Sequence, residues 1–512
     1  MSGSPDIPCS MKSIFTCLAL TVVLLGQAQN FSRVYHHATY LGGSGRSVFE
    51  VNDGFLFFSV QRSLDSTVTA FYSTRIDFEG NGIQTIEFAR RRNSDPGILD
   101  PIWANDNGTF TAAVSSFGSE YLDSLFLYHF DANGDTTSTH FISADVSQGV
   151  RDCVGTPDGG YLIAGFCTYT ADPFVGCACL RKVTAEGEEL WRRTWPQYQY
   201  IYSIRPMSDG SYLLGGNRPN TFDPTCLIKV DGNGDQQWVR FIGGSSNGSS
   251  VQAIELPNGN YIIPSAWIPP DSASITLNWF ATAYCYSPLG ELLWRKDLVY
   301  GRKASTVQAQ YMENDEYFMV GGYQDLQSDP ELAATLWRMN AEGDTLYSRK
   351  YWYYTGDAAV NVATYGINRT SDGGLIMIGA VRQSTTGEQP LLYSTWVLKL
   401  DEHGCLTPGC HTVGVQEYEL ALQNALVLAP NPASDRLSVS LPLPGGYKVS
   451  GATQVVLLDA QGKQVLQQAV PTGTSELRTQ VEIAGLAPGI YYLHLRDELR
   501  WLAGGKVVVT AP

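Results

Sequence analysis

Charge is scarce in this chain: Asp, Glu, Lys and Arg together make up 16% of its 512 residues. The longest basic run is Arg90-Arg91-Arg92, and the formal net charge is -16. A surface of that sign offers phosphates no counter-field, which excludes nucleic acid as a partner. Histidine is rare too, at seven residues: His36, His37, His129, His140, His403, His411 and His494. None forms an HExxH pair and no CxxC pair accompanies them, so the sequence predicts no bound metal and no cofactor. There is no phosphate-binding loop. Carboxylates converging from distant parts of the chain stay open as a route to hydrolysis.

Long apolar runs are also missing, with one exception. Ile14 to Gly26 follows Met11-Lys12-Ser13 and is too short to anchor the chain in a bilayer. One lysine, a short apolar stretch and small residues at Gly26 and Ala28 read as a signal peptide over residues 1–28. The ten residues before Met11 add nothing to such a signal, which points to Met11 as the start of translation. The mature chain then carries no transmembrane anchor. Of ten cysteines, Cys9 and Cys17 fall in this leader. Among the rest, the Pro-Gly turn between Cys405 and Cys410 brings those two within reach of a disulfide, and Cys167 and Cys177 flank one loop in the same way. Export to an oxidising compartment favours both pairs over metal binding.

What the chain has in plenty is glycine (51), tyrosine (28) and tryptophan (11), within 44% hydrophobic residues. That composition favours strands and turns around a sizeable core. One phrase recurs: an Asp/Asn-Gly turn, an aromatic or leucine, then an apolar run ending in small residues. It appears at Asn52-Asp53-Gly54, Asp106-Asn107-Gly108, Asp158-Gly159-Gly160, Asp209-Gly210-Ser211, Asn258-Gly259-Asn260, Asn314-Asp315-Glu316 and Asp372-Gly373-Gly374, at intervals of about 50 to 58 residues. A second turn follows each, centred on Gly80, Gly134, Gly187, Gly234, Gly290, Gly343 and Gly404. Glycine supplies the positive φ that short hairpins need. Each unit therefore reads as four strands A to D, the period of a β-propeller blade, and seven units predict seven blades.

The seventh unit stops after strand C. The segment Phe31-Ser32-Arg33-Val34-Tyr35 resembles a D strand, and is expected to complete that last blade and close the ring. The A–B and C–D turns then share one face of the disc, and the long B–C and D–A loops share the other. Trp191, Trp238, Trp294 and Tyr347 recur at one position after the second turn, which points to packing between blades. Asp131 to Asp135 and Asp231 to Asp235 begin like calcium loops, but the equivalent turns keep the glycine and not the ligands, so hairpin geometry explains them.

From about Gln423 the pattern changes to short alternating strands with Gly/Pro turns, a small Ig-like β-sandwich. Pro430-Asn431-Pro432, the Asp459 hairpin with Gly462-Lys463, the strand at Gly489-Ile490-Tyr491 and the closing Lys506-Val507-Val508-Val509 occur in that order. With these motifs the last 90 residues or so resemble the type A C-terminal sorting domain of the type IX secretion system of Bacteroidetes-type bacteria. The resemblance implies passage of the outer membrane, contact with the translocon and its processing machinery, and a secreted or cell-surface location. For Pro430, Pro432, Gly489 and Tyr491, turn geometry and core packing account for most of the role.

The organisation expected is therefore a leader at 1–28, a seven-bladed propeller at 31–411, a linker at 412–424 and the sorting domain at 425–512. Aromatic segments in the long loops name candidate ligand contacts: Trp195, Tyr198, Tyr200, Trp267, Trp352 and Tyr354. The expected function is non-enzymatic binding of a glycan or protein at that face. A polysaccharide hydrolase or lyase and a structural surface protein are the alternatives.

Overall fold

The computed structural model describes residues 30–511, apart from segments 37–39, 64–67, 93–101, 118–121, 147, 169–175, 218–223, 246–251, 268–277, 325–331, 356–357, 384–391, 414–416, 419–421, 423–424, 444–448, 450, 472 and 474. The leader expected at 1–28 and most of the long loops lie outside the described residues, as does most of the expected linker. Among the described residues no helix is long and apolar enough to cross a membrane.

The protein is all-β with a propeller-like body. Residues 102–146, 148–195 and 200–245 each make a separate sheet of four antiparallel strands in sequence order. Residues 40–92 repeat the arrangement. In the next two units one strand serves twice: the first half of Leu292–Tyr311 pairs with Asn278–Tyr286 and the second half with Glu316–Gln324. The last repeat contributes Ala358–Arg369, Leu375–Gln383 and Leu392–Leu400. Its fourth strand is Phe31–Tyr35, antiparallel to Leu392–Leu400 with Phe31 opposite Lys399 and Tyr35 opposite Thr395.

The contacts of that N-terminal strand follow those of the sixth unit's last strand. Tyr351 closes the sixth unit and donates its hydroxyl to the Gly404 carbonyl of the next at 2.7 Å. Tyr35 donates to the Gly80 carbonyl of the first unit at 2.8 Å. The two strands read Tyr347-Ser348-Arg349-Lys350-Tyr351 and Phe31-Ser32-Arg33-Val34-Tyr35. Trp191, Trp238 and Trp294 lie on the second-turn glycine of the following unit: a Cβ on Gly234 would stand 2.5 Å from Trp191. Those glycines thus answer two demands, a positive φ and the close approach of a neighbouring ring. At the sixth unit's first turn, Asn314 and Asp315 take positive φ themselves in place of glycine.

The turn carboxylates are occupied by their own loops. Asp131 Oδ1 accepts from Asn133 and Asp135 N–H at 2.9 and 3.0 Å, and Asp231 Oδ1 from Asn233 and Asp235 at 2.9 Å each. At the first turn a different device recurs. Lys182, Lys229 and Lys399, each just before the second turn, bind Asp158, Asp209 and Asp372 at 2.8, 2.7 and 2.8 Å. The Lys182 ammonium holds Asp158 down at about 2.

The C-terminal domain has two sheets, one ordered Glu417–Tyr418, Arg500–Val509, Gly489–Arg496, Thr453–Asp459, Gln464–Val470 and one of Val427–Ala429, Arg436–Pro442, Glu476–Glu482. Leu437, Val439, Val455, Leu457, Leu477 and Leu493 fill the core between them. A second core joins this domain to the body: Leu406, Cys410 and Val413 pack with Val456, Leu458 and Trp501.

Candidate functional site

Strand A is the innermost strand, since A strands of adjacent units touch one another. In five units it carries one extra residue at the same height: Arg46, Arg151, Tyr202, Val307 and Tyr365. A β-bulge of this kind re-aims the extra side chain out of the pleat. In the first unit Gly45 of strand A stands opposite Ser59; in the other four the apolar run of strand B ends in a glycine at the bulge, Gly165, Gly216, Gly321 and Gly379. A Cβ at those positions would meet strand A carbonyls at 1.8 to 2.7 Å. Their absence lets the A strand buckle toward the axis. Each bulge lies four or five residues before the last residue of strand A.

The side chains so presented converge from separated units. The Arg46 guanidinium lies 4.0 Å over the Tyr365 ring, and Arg151 lies 5.2 and 5.9 Å over Tyr200 and Tyr202. Burial lowers the Arg46 pKa, the Tyr365 phenol opposes the shift, and the charge of Arg151 adds to it. The Nε atoms of Arg46 and Arg151 are enclosed and have no hydrogen-bond partner. Asp152, beside Arg151, is turned into the protein: Oδ2 accepts from Ile204 N–H at 2.7 Å and from Arg205 at 3.0 Å, and Oδ1 from Cys153 N–H at 2.8 Å. Burial raises its pKa against these bonds.

The aromatic residues expected to contact ligand divide. Tyr200 stands at the channel beneath Arg151. Trp267 is half-buried with Arg295 stacked 3.9 Å over its ring. Trp195, Tyr198 and Trp352 are 7%, 5% and 5% exposed, so their rings are core and not surface, which corrects that expectation. Hydrophobic burial outweighs exposure wherever a large ring finds an apolar neighbour. The side chain of Tyr354 lies outside the described residues. Arg46, Arg151, Tyr202 and Tyr365 went unnamed in the sequence reading; the glycine ending the B strand was the available signal for the last three, and Arg46 had none, since Ser59 stands there.

Cys405 and Cys410 are joined, with Cα atoms 5.7 Å apart. Cys167 and Cys177 face each other across the strand pair Tyr161–Thr168 and Gly176–Val183 but are not joined by a disulfide, correcting the second expected bridge. They share a buried cluster with Cys179 instead. Asp401, Cys405 and His411 offer ligand atoms within 4.8 Å of one another, but Cys405 is spent in the disulfide.

In the sorting domain, Asn431 clamps the last strand, donating to the Lys506 carbonyl at 2.8 Å and accepting from Val508 N–H at 2.9 Å. Pro430 and Pro432 flank this clamp. Gly462 takes φ 78° in a hairpin where Lys463 N–H donates to Asp459. Tyr491 follows Gly489 and bonds the Ala487 carbonyl at 2.8 Å. At the junction, burial pushes His494 down to about 4, while its Nδ1 accepts from Trp501 Nε1 at 3.0 Å. A folded value below the ordinary 6.5 gives stability that is present above pH 6.5 and lost as pH falls toward 4. The difference amounts to about 3 kcal/mol. Asp401, raised by burial from 3.8 to about 7, acts in the opposite sense over that interval. His494→Gln isolates the histidine: wild type should lose about 3 kcal/mol more than the variant between pH 6.5 and 4 in urea unfolding.

Fold and site together define an exported, propeller-like all-β protein with a channel-mouth cluster and a C-terminal tag. Residues 427–510 match the secretion system C-terminal sorting domain family. That tag directs the chain through the type IX machinery to the cell surface or the medium. No curated protein matches the chain. Among solved structures it is similar to a Bacteroides caccae protein of unknown function, at 14% identity over 57% of this chain and 91% of that one, TM-score 0.33. It is also similar to the Neurospora crassa Pan2 WD40 domain, at 10% identity over 73% and 96%, TM-score 0.41. A neuraminidase-like protein from A/bat/Guatemala/164/2009 matches at 10% identity over 73% and 95%, TM-score 0.37.

Proposed function

We propose that this chain is an exported binding protein: a seven-bladed propeller over residues 31–411, closed by Phe31–Tyr35, that receives a glycan or protein at its channel mouth. An Ig-like sorting sandwich follows at 425–512, and Glu417–Tyr418 and Leu422 of the segment 412–424 join its sheet and core. The observation that carries this reading is the set of A-strand bulges, which aims Arg46, Arg151, Tyr202 and Tyr365 at the axis. Bonds between successive units run on from the seventh to the first, where Asn368 donates to the Val48 carbonyl at 2.7 Å, in support of a closed ring. Binding is favoured over hydrolysis because the carboxylate beside this cluster, Asp152, is committed to Arg205 and two backbone N–H groups. The test is a glycan array and a surface pull-down with the mature chain. Signal that falls at least about tenfold in Tyr365→Ala supports the reading. Turnover of a polysaccharide would establish the hydrolase or lyase instead, and silence throughout would leave a structural surface protein.

A further inference from the structure

Lys182, Lys229, Lys399 and Arg205 pair with carboxylates at 2.7 to 3.0 Å, and Arg240 and Arg349 donate to backbone carbonyls at 2.6 and 2.8 Å. Arg46 and Arg151 differ. Among the described residues neither has a carboxylate or hydrogen-bond acceptor, although the chain carries 50 acidic residues against 34 basic ones. They come from the first and third units, yet each lies within electrostatic reach of the other at the axis. Two like charges in a partly dewatered site repel, and two enclosed Nε–H donors lack acceptors. An arrangement with those costs, offset among the described residues by ring stacking and by no counter-charge, is what a site for an external anion requires.

We propose that the gap between Arg46 and Arg151 receives the oxyanion of an acidic sugar, a carboxylate or a sulfate. The inference rests on the channel mouth being the ligand site, and names the ligand class. Guanidinium forks match both oxyanions in bidentate fashion. Tyr365 beneath Arg46, and Tyr200 and Tyr202 beneath Arg151, hold the forks in place before ligand arrives, which reduces the ordering cost of binding. The same phenols put ring faces and hydroxyls next to the charge, the combination that recognises a pyranose and favours an acidic sugar over an acidic peptide.

The experiment is calorimetric titration of the mature full-length chain with uronate oligosaccharides, sulfated oligosaccharides, their neutral counterparts and polyglutamate. Wild type should bind one or both acidic sugars, with affinity falling as salt rises. Arg46→Gln and Arg151→Gln should each weaken that binding by at least about tenfold, and the double variant by about a hundredfold. The control Arg436→Gln, in the sorting domain, should change nothing. The double variant should melt no lower than wild type, since it loses a repulsion; that separates lost binding from lost folding. Acidic-sugar binding unchanged in the double variant overturns the proposal, as does binding of polyglutamate alone. Binding of neutral sugars alone, indifferent to both arginines, overturns it while sparing the channel-mouth reading. Silence toward every probe counts against both.

Discussion

Phe31→Ala should destabilise the body by about 3 to 5 kcal/mol, a large loss for a change near the start of the described chain. The ring is 6% exposed and packs in one cluster with Phe55, Ile376 and Val397 from the first and last repeats. It also covers the Gly80 turn, as Trp191 covers Gly234. Deleting residues 30–36 removes the whole fourth strand of the last sheet, together with the Trp396 Nε1 to Ser32 bond at 3.0 Å. The deletion should cost more than the point change and leave Leu392–Leu400 with an unpaired edge open to aggregation. Urea unfolding of the three chains, with light scattering, checks this. An unchanged midpoint in the deletion would show that nothing depends on closure.

Asp372→Ala is the second large effect, expected at about 3 to 5 kcal/mol because it strands a buried cation. The Lys399 side chain is 0% exposed, and its ammonium reaches Asp372 at 2.8 Å and the Leu400 carbonyl at 3.1 Å. Burial works against the Asp372 carboxylate, but bonds from Lys399 and Thr370 overcome it and hold the pKa below the ordinary value. That part of the stability is present above the ordinary carboxylate pKa and fades as acid protonates Asp372. The double variant Asp372→Ala/Lys399→Met should recover most of the loss, since no unpaired charge then stays buried. A double variant no more stable than the single one would show that the pair acts through something other than charge compensation.

The units, their turns and the N-terminal strand were legible because each rests on local chemistry. Glycine with positive φ marks a hairpin wherever it stands, and a missing fourth strand in a periodic series can be counted. The lysines at 182, 229 and 399 were equally periodic, but a lysine in an apolar strand gains meaning only once the turn aspartate is known to fold back onto it. The aromatic candidates misled for a related reason. Trp195 and Trp352 sit in loop-like segments, and only the packing of neighbouring strands decides whether such a ring meets solvent or core. Cys167 and Cys177 were placed correctly across one loop, yet adjacency on paired strands did not join them.

By itself the amino-acid order determined the all-β character, the repeat and the export tag, because strand alternation, turn residues and tag motifs act over a few positions. The tertiary structure decided what stands at the axis. Arg46, Arg151, Tyr202 and Tyr365 lie far apart along the chain, and nothing local draws them together. They meet because the A strands bulge inward at one height, and because successive sheets, packed side by side, turn those bulges toward one another.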